Sequence, residues 1–187
     1  MRITTILGSP KKNGKTATAL KLAEEKLISQ GHEITRVNVT EYQIGGCQGC
    51  YACMQITDAP GCVLKDDMQS IYSTIISTDA LVIASPIYCY ELTAQIKPFI
   101  DRTFSLSNTY LLNDKPIAGL ITCIGEEKGN ADLVVDFFNR AFDSSQKSFF
   151  NTKLLGTYVV PCSNSKDFKN RAEMITNRLV KTITCSL

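Results

Sequence analysis

The sequence predicts an α/β fold of three layers, αβα, with a five-stranded parallel sheet in the order 2-1-3-4-5. Three observations carry this. Strand-like and helix-like patterns alternate five times along the chain, which implies a parallel sheet covered on both faces. The third strand pattern, Ala80-Leu81-Val82-Ile83-Ala84, is five apolar residues in a row, as expected of a strand buried on both sides. Right-handed crossovers then leave few topologies. The 187 residues suit one domain. With no repeat, linker or low-complexity tract, residues 1–187 are expected to form that one domain, with a cysteine-rich loop inserted at about 40–64.

Each element has its own signal. Ile3 to Leu7 is an apolar run stopped by Gly8-Ser9-Pro10, hence a buried strand. Lys15 to Gln30 reads as a helix with Leu20, Ala23 and Leu27 on one face, and Gly31 stands where a capping glycine belongs. Ile34 to Val39 is the second strand. Asp66 or Asp67 can cap a helix whose inner face is Met68, Ile71, Tyr72 and Ile75. The third strand, 80–84, stops at Ser85-Pro86. Ile96, Phe99, Ile100 and Phe104 make the next helical stripe, with Pro98 tolerated only in its first turn. Ile117 to Thr122 is the fourth strand. Val134, Phe137, Phe138, Ala141 and Phe142 form a strong helical stripe. Leu154 to Val160 is the fifth strand, and Ala172, Ile175, Leu179 and Ile183 line a last helix.

Composition narrows the function. Hydrophobic residues are 44% and charged residues 20%, an ordinary globular mix that excludes disorder, collagen and coiled coil. No apolar run approaches the ~18 residues of a membrane span. A net charge of +2 with scattered Lys and Arg gives no footprint for nucleic acid. Eight cysteines are many. Cys47, Cys50, Cys53 and Cys62 cluster, while Cys89, Cys123, Cys162 and Cys185 are dispersed. A disulfide framework does not need that asymmetry; a metal or redox site does. The N-terminal apolar stretch is too short for a signal-peptide core, so a cytoplasmic location with reduced thiols is expected.

In doubly wound sheets ligands bind at the carboxyl ends of the strands. The first such loop, Gly8 to Thr16, offers hydroxyls at Ser9 and Thr16, the lysines Lys11, Lys12 and Lys15, and glycines at 8 and 14. Its backbone N–H groups, backed by a helix N-terminus, suit a phosphate; a polar turn capped by Asn13 or Thr16 is the plain alternative. A nucleoside triphosphatase is disfavoured. Five residues separate Gly8 from Gly14 where the Walker A pattern has four, and no aspartate ends the third strand.

Ile6-Leu7-Gly8-Ser9-Pro10-Lys11-Lys12-Asn13-Gly14-Lys15-Thr16 resembles the phosphate loop of NADPH-dependent FMN reductases and iron–sulfur flavoproteins, both flavodoxin-like. The resemblance continues at Gly46-Cys47-Gln48-Gly49-Cys50-Tyr51-Ala52-Cys53, at Lys65-Asp66-Asp67-Met68, at Ala84-Ser85-Pro86-Ile87-Tyr88 and at Ala94 to Arg102. It covers most of residues 1–102 and thins after residue 125. It implies that Ser9, Lys11, Asn13, Gly14, Lys15 and Thr16 hold the FMN phosphate, and that Pro86, Ile87, Tyr88, Cys89 and Tyr90 lie against the flavin ring. It also brings Thr122 and Gly125, after the fourth strand, to the ring's other side. Related proteins are Gly-rich there, whereas this chain has Gly125 followed by Glu126 and Glu127. A flat, mostly apolar ring needs an apolar wall and a few backbone donors; the plain alternative, less favoured because a phosphate loop lies at the neighbouring strand end, is that Tyr88 and Tyr90 simply cover the sheet end. Members are commonly dimers or tetramers, so a homodimer or homotetramer is expected.

Cys47-x2-Cys50-x2-Cys53-x8-Cys62 has three ligands at the compact spacing of 4Fe–4S clusters, with a fourth further along than the resemblance implies, and zinc suits it less, since structural zinc sites pair two Cys-x2-Cys knuckles across a longer gap. The alternative is a loop of reduced thiols packing at a subunit contact. Two functions follow from the resemblance. One is an FMN-dependent oxidoreductase taking hydride from NAD(P)H and reducing a quinone, flavin or similar small acceptor. The other is an iron–sulfur flavoprotein passing single electrons between a cluster and FMN, with a redox protein as partner. No side-chain acid or base is required. A simple flavodoxin-type shuttle fits less well, because such proteins are usually strongly acidic.

Overall fold

In the computed structural model, residues 1–56, 60–107, 109, 111–146, 150–162 and 165–186 are described; residues 57–59 of the cysteine loop lie outside them. Strands β1 (Arg2–Leu7), β2 (Glu33–Asn38), β3 (Ala80–Tyr88), β5 (Pro116–Cys123) and β6 (Lys153–Pro161) alternate with helices α1 (Lys15–Ser29), α2 (Met68–Ser77), α3 (Lys97–Arg102), α4 (Phe104–Ser107), α5 (Asp132–Phe142) and α6 (Ser165–Ser186). The main strands are parallel and run β2-β1-β3-β5-β6, the expected order 2-1-3-4-5. The parallel sheet has the five strands expected, and a short strand, β4 (Glu91–Leu92), adds antiparallel to the end of β3.

Both faces of the sheet are covered. Ile6, Leu81, Ile83, Ile117 and Ile121 pack against α2, α3 and α5 through Ile71, Tyr72, Phe99, Val134 and Phe138. Ile3, Val82, Leu120 and Val160 pack against α1 and α6 through Leu20, Leu27, Ala172 and Leu179. β3 and β5 are apolar at most positions, and β1 is buried at all but Arg2, because inward and outward residues both meet helices.

Helix boundaries follow local chemistry. α1 ends in a Schellman motif: the Gly31 N–H donates to Ile28 O at 2.9 Å and the His32 N–H to Leu27 O at 3.1 Å, with Gly31 at φ +86. Pro98 falls in the first turn of α3, as expected. The stripe from Ile96 to Phe104 is not one helix, however; it breaks at Thr103 into α3 and α4. Asp67 is the N-cap of α2 without a side-chain bond, while the Asp66 carboxylate accepts the Met68 N–H at 3.2 Å.

Candidate functional site at the carboxyl end of the sheet

The loop between β1 and α1 is built from backbone. The Gly8 N–H donates to Ala84 O at 2.8 Å, and the Thr93 hydroxyl donates to Gly8 O. A Cβ on Gly8 would lie 2.6 Å from Ile96 Cβ, so glycine is required for close approach. The Lys11 N–H donates to Ser9 Oγ at 3.1 Å, and the Gly14 N–H to Lys11 O at 3.1 Å, which folds residues 9–14 into a tight turn. Gly14 is then the N-cap of α1. No side chain caps the helix, and its first turn holds no acidic residue, which corrects the alternative of an Asn13 or Thr16 cap. The first-turn N–H groups lack intrahelical acceptors, and the helix dipole adds to their attraction for an anion.

Not every expected side chain faces this turn. Thr16 is buried, and its hydroxyl lies 2.6 Å from that of Thr122. Lys15 reaches away, donating to Cys162 O at 2.7 Å with its ammonium 5.6 Å from the Phe168 ring centre. Lys12 pairs with Glu41 at 2.7 Å on the surface.

One strand over, β3 continues through Pro86 to Tyr88. Its pairing with β1 ends at Leu7 and Ala84, and β4 joins only at Ile87 and Tyr88, so Pro86 falls between the two and its missing N–H costs nothing. Cys89 (φ 50) and Tyr90 (φ 65) both adopt the left-handed region in a two-residue turn to Glu91, which pairs with Tyr88. This is the geometry of a type I′ hairpin, here made without glycine. Cys89, Tyr88 and Tyr90 are exposed, and a cavity of about 470 Å³ opens between Tyr88, Glu91, Leu92, Gln95 and Phe137.

On the far side, Gly125 has φ +99, and a Cβ there would meet the Asn130 amide at 2.9 Å. Glu126 pairs with Arg171 of α6 at 2.9 Å. Burial, with Cys162 nearby, pushes the Cys123 thiol up to about 11, which keeps it protonated and inert.

Cys47, Cys50, Cys53 and Cys62 all border one cavity of about 990 Å³ between their loop, α3–α4 and α5. All four are free thiols. Burial raises the Cys53 thiol, and Cys62, Cys50 and Cys47 add to the effect. Among the described residues no three His, Cys, Asp or Glu side chains are gathered closely enough to hold a metal ion.

Sequence reasoning missed the clamp at the base of this loop. Arg102, buried on α3, donates from both terminal nitrogens to Asp66 at 2.7 and 3.0 Å and to Gly45 O at 3.0 Å. Asp66 accepts the Gly45 N–H at 2.9 Å, and Asp67 accepts the Gln43 N–H at 2.7 Å. The Arg102 guanidinium holds the Asp66 carboxyl below the usual carboxylate range. The one available signal was that Lys65-Asp66-Asp67-Met68 and Asp101-Arg102 stand among the segments of the family resemblance.

A doubly wound sheet with an uncapped helix N-terminus and an aromatic hairpin on adjacent strand ends defines a flavodoxin-like fold. The model of the NADPH-dependent FMN reductase family matches residues 1–143, and the chain belongs to that family. An iron–sulfur flavoprotein of Archaeoglobus fulgidus is 32% identical over 140 residues, covering 75% of this chain and 61% of its own length. One from Methanosarcina thermophila is 27% identical over 135 residues, covering 72% and 69%. The chain thus spans less than two thirds of the first relative's length. Among solved structures, the NAD(P)H:quinone oxidoreductase from Methanothermobacter marburgensis superposes with a TM-score of 0.72 at 15% identity, over 97% of this chain and 94% of that one. The Trp repressor binding protein from Bacillus subtilis gives 0.66 at 19% identity, over 95% and 99%. Among the described residues no helix is long and apolar enough to cross a membrane.

Proposed function

We propose that this protein is an FMN-dependent NAD(P)H oxidoreductase that reduces a small acceptor such as a quinone or a flavin. The observation that carries the reading is the uncapped N-terminus of α1 behind the Ser9–Gly14 turn, one strand from the exposed Tyr88–Tyr90 hairpin. The residues fit the cofactor: free N–H groups for a phosphate, and an apolar and aromatic surface for a flat ring. Bound FMN supplies the hydride chemistry. The chain's part is to hold the phosphate by backbone N–H groups and to wall the ring with Pro86, Ile87, Tyr88 and Tyr90. Titration with FMN and with riboflavin, which lacks the phosphate, tests this. FMN should bind at least tenfold more tightly, about 1.4 kcal/mol, and Ser9→Glu should erase the difference. An unchanged preference in that variant would place the phosphate elsewhere. Turnover of NADPH or NADH with a quinone then identifies the electron donor.

A second reading is favoured by one observation: four free thiols of one loop border one cavity. That donor set has the chemistry of a 4Fe–4S site. Cys47, Cys50, Cys53 and Cys62 would hold the cluster, which would supply one-electron transfer beside the flavin. The loop would have to draw its thiols together around it. Iron analysis after anaerobic reconstitution, on the parent and on Cys50→Ser, tests this; negligible iron in the parent leaves the flavin as the sole redox group.

A further inference from the structure

The peptide unit between Gly8 and Ser9 is held on one side only. Its carbonyl oxygen accepts the Thr93 hydroxyl at 2.5 Å. The Ser9 N–H of the same unit has no acceptor among the described residues, although Ser9 is only 4% exposed. A buried donor left unsatisfied calls for an explanation. The Ser9 hydroxyl is already committed to the turn, where it accepts the Lys11 N–H at 3.1 Å. Thr93 is itself fully buried and fixed from two directions. Its N–H donates to Ser85 Oγ at 3.4 Å, and its carbonyl accepts the Ile96 N–H at 3.2 Å. Gly8 is therefore held by Ala84 at its N–H, by Thr93 at its oxygen and by the Ile96 side chain against its Cα. All three partners belong to the stretch that carries the Tyr88–Tyr90 hairpin.

We infer, resting on the FMN reading above, that Thr93 is a positioning residue for the flavin phosphate, acting through the Ser9 N–H. A peptide unit is planar and trans, so its C=O and N–H point in opposite directions. Thr93 fixes the oxygen and thereby sets the direction of the Ser9 N–H, which is left as a donor for a phosphate oxygen. A donor ordered before binding loses less freedom when the anion arrives. The bond from Thr93 also polarises the amide, which strengthens the N–H as a donor, since linked hydrogen bonds reinforce one another. Thr93 thus favours the phosphate without touching it. A Thr93 that merely anchored the hairpin would support flavins with and without a phosphate to the same extent.

The test is titration of the full chain with FMN and with riboflavin, in the parent, in Thr93→Val, which keeps the size without the donor, and in Thr93→Ser, which keeps the hydroxyl. Thr93→Val should reduce the preference for FMN over riboflavin about fivefold, the effect of one weakened hydrogen bond, while Thr93→Ser should retain the parent's preference. Equal losses of affinity for the two flavins in Thr93→Val overturn the inference, as does a Thr93→Ser variant that loses the preference to the same degree as Thr93→Val. If Thr93→Val does not fold, NMR of the parent decides: the Ser9 amide proton should move downfield when FMN is added and not when riboflavin is added. A Ser9 amide that responds alike to both flavins is sufficient for rejection. A parent without any preference for FMN removes the phosphate reading and the inference together, whereas a preference that Thr93→Val leaves intact removes the inference only.

Discussion

The hydroxyls of Thr16 and Thr122 meet at 2.6 Å, joining the first turn of α1 to the end of β5. Both side chains are buried, at 2% and 3% exposure, so each oxygen depends on the other. The pair ties the start of α1 to the carboxyl end of β5.

Breaking that pair should reveal mutual dependence. Thr16→Val strands the Thr122 hydroxyl at a cost of about 1–3 kcal/mol, whereas the double change Thr16→Val with Thr122→Val should cost less than the sum of the single changes. Chemical denaturation of the four proteins gives the coupling directly. Additive costs would mean that the two hydroxyls do not support each other.

The β3–β4 turn should trade stability against binding. A non-glycine residue in the left-handed region costs about 1 kcal/mol or more, and Cys89 and Tyr90 are both there. Cys89→Asn with Tyr90→Gly installs the pair that type I′ turns favour. It should raise stability by about 1 kcal/mol and weaken FMN binding by removing an exposed aromatic face. Thermal unfolding of the apoprotein and a flavin fluorescence titration measure the two effects separately. A variant that gains stability without losing FMN affinity would show that Tyr90 lies off the flavin.

Acid should loosen the base of the cysteine loop. Arg102 holds the Asp66 carboxyl below its ordinary 3.8, so the folded state binds its proton less readily than the unfolded state does. The resulting stabilisation is complete above the ordinary value and disappears as pH falls through the folded one. The protection of the Gly45 and Met68 amides against hydrogen exchange, relative to their intrinsic rates, should therefore fall below about pH 4 in the parent. In Asp66→Asn this step should be absent, with faster exchange already at neutral pH.

Lys115 should prove to be a structural cation. Its ammonium donates to Ile75 O at 3.0 Å, to Ile76 O at 3.3 Å and to Thr78 O at the C-terminus of α2, and burial lowers its pKa. Lys115→Met leaves those carbonyls without their donor and should cost about 1–3 kcal/mol, with little change in FMN affinity. Denaturation and flavin titration on one preparation check both parts.

The order of elements was legible in the sequence because it is written in local patterns. Ala80 to Ala84 had to be a central strand, and Gly31 had to end α1. Pro86 misled because a proline normally stops a central strand. Only the fold reveals that β1 has already ended at Leu7, leaving Pro86 paired with β5 alone. Likewise the aspartates before α2 read as a cap, and Asp66 does accept a first-turn N–H. Its larger task involves Arg102, 36 residues away, and no local window contains both. The phosphate turn was legible as a loop. Lys15 and Thr16 were expected at the phosphate from their place in the loop; that their side chains reach Cys162 O and Thr122, far along the chain, no local window could show.

Because Gly45 and Asp66 are hydrogen-bonded to each other, the chain between them leaves the fold and returns to the same point. Lengthening such an excursion is thermodynamically mild: doubling a flexible loop costs only about 0.6 kcal/mol of closure entropy. The eight residues between Cys53 and Cys62 can therefore grow, shrink or change composition across descendants without disturbing the sheet. The clamp makes this segment a replaceable cassette, whose content can change while the sheet beneath it is kept.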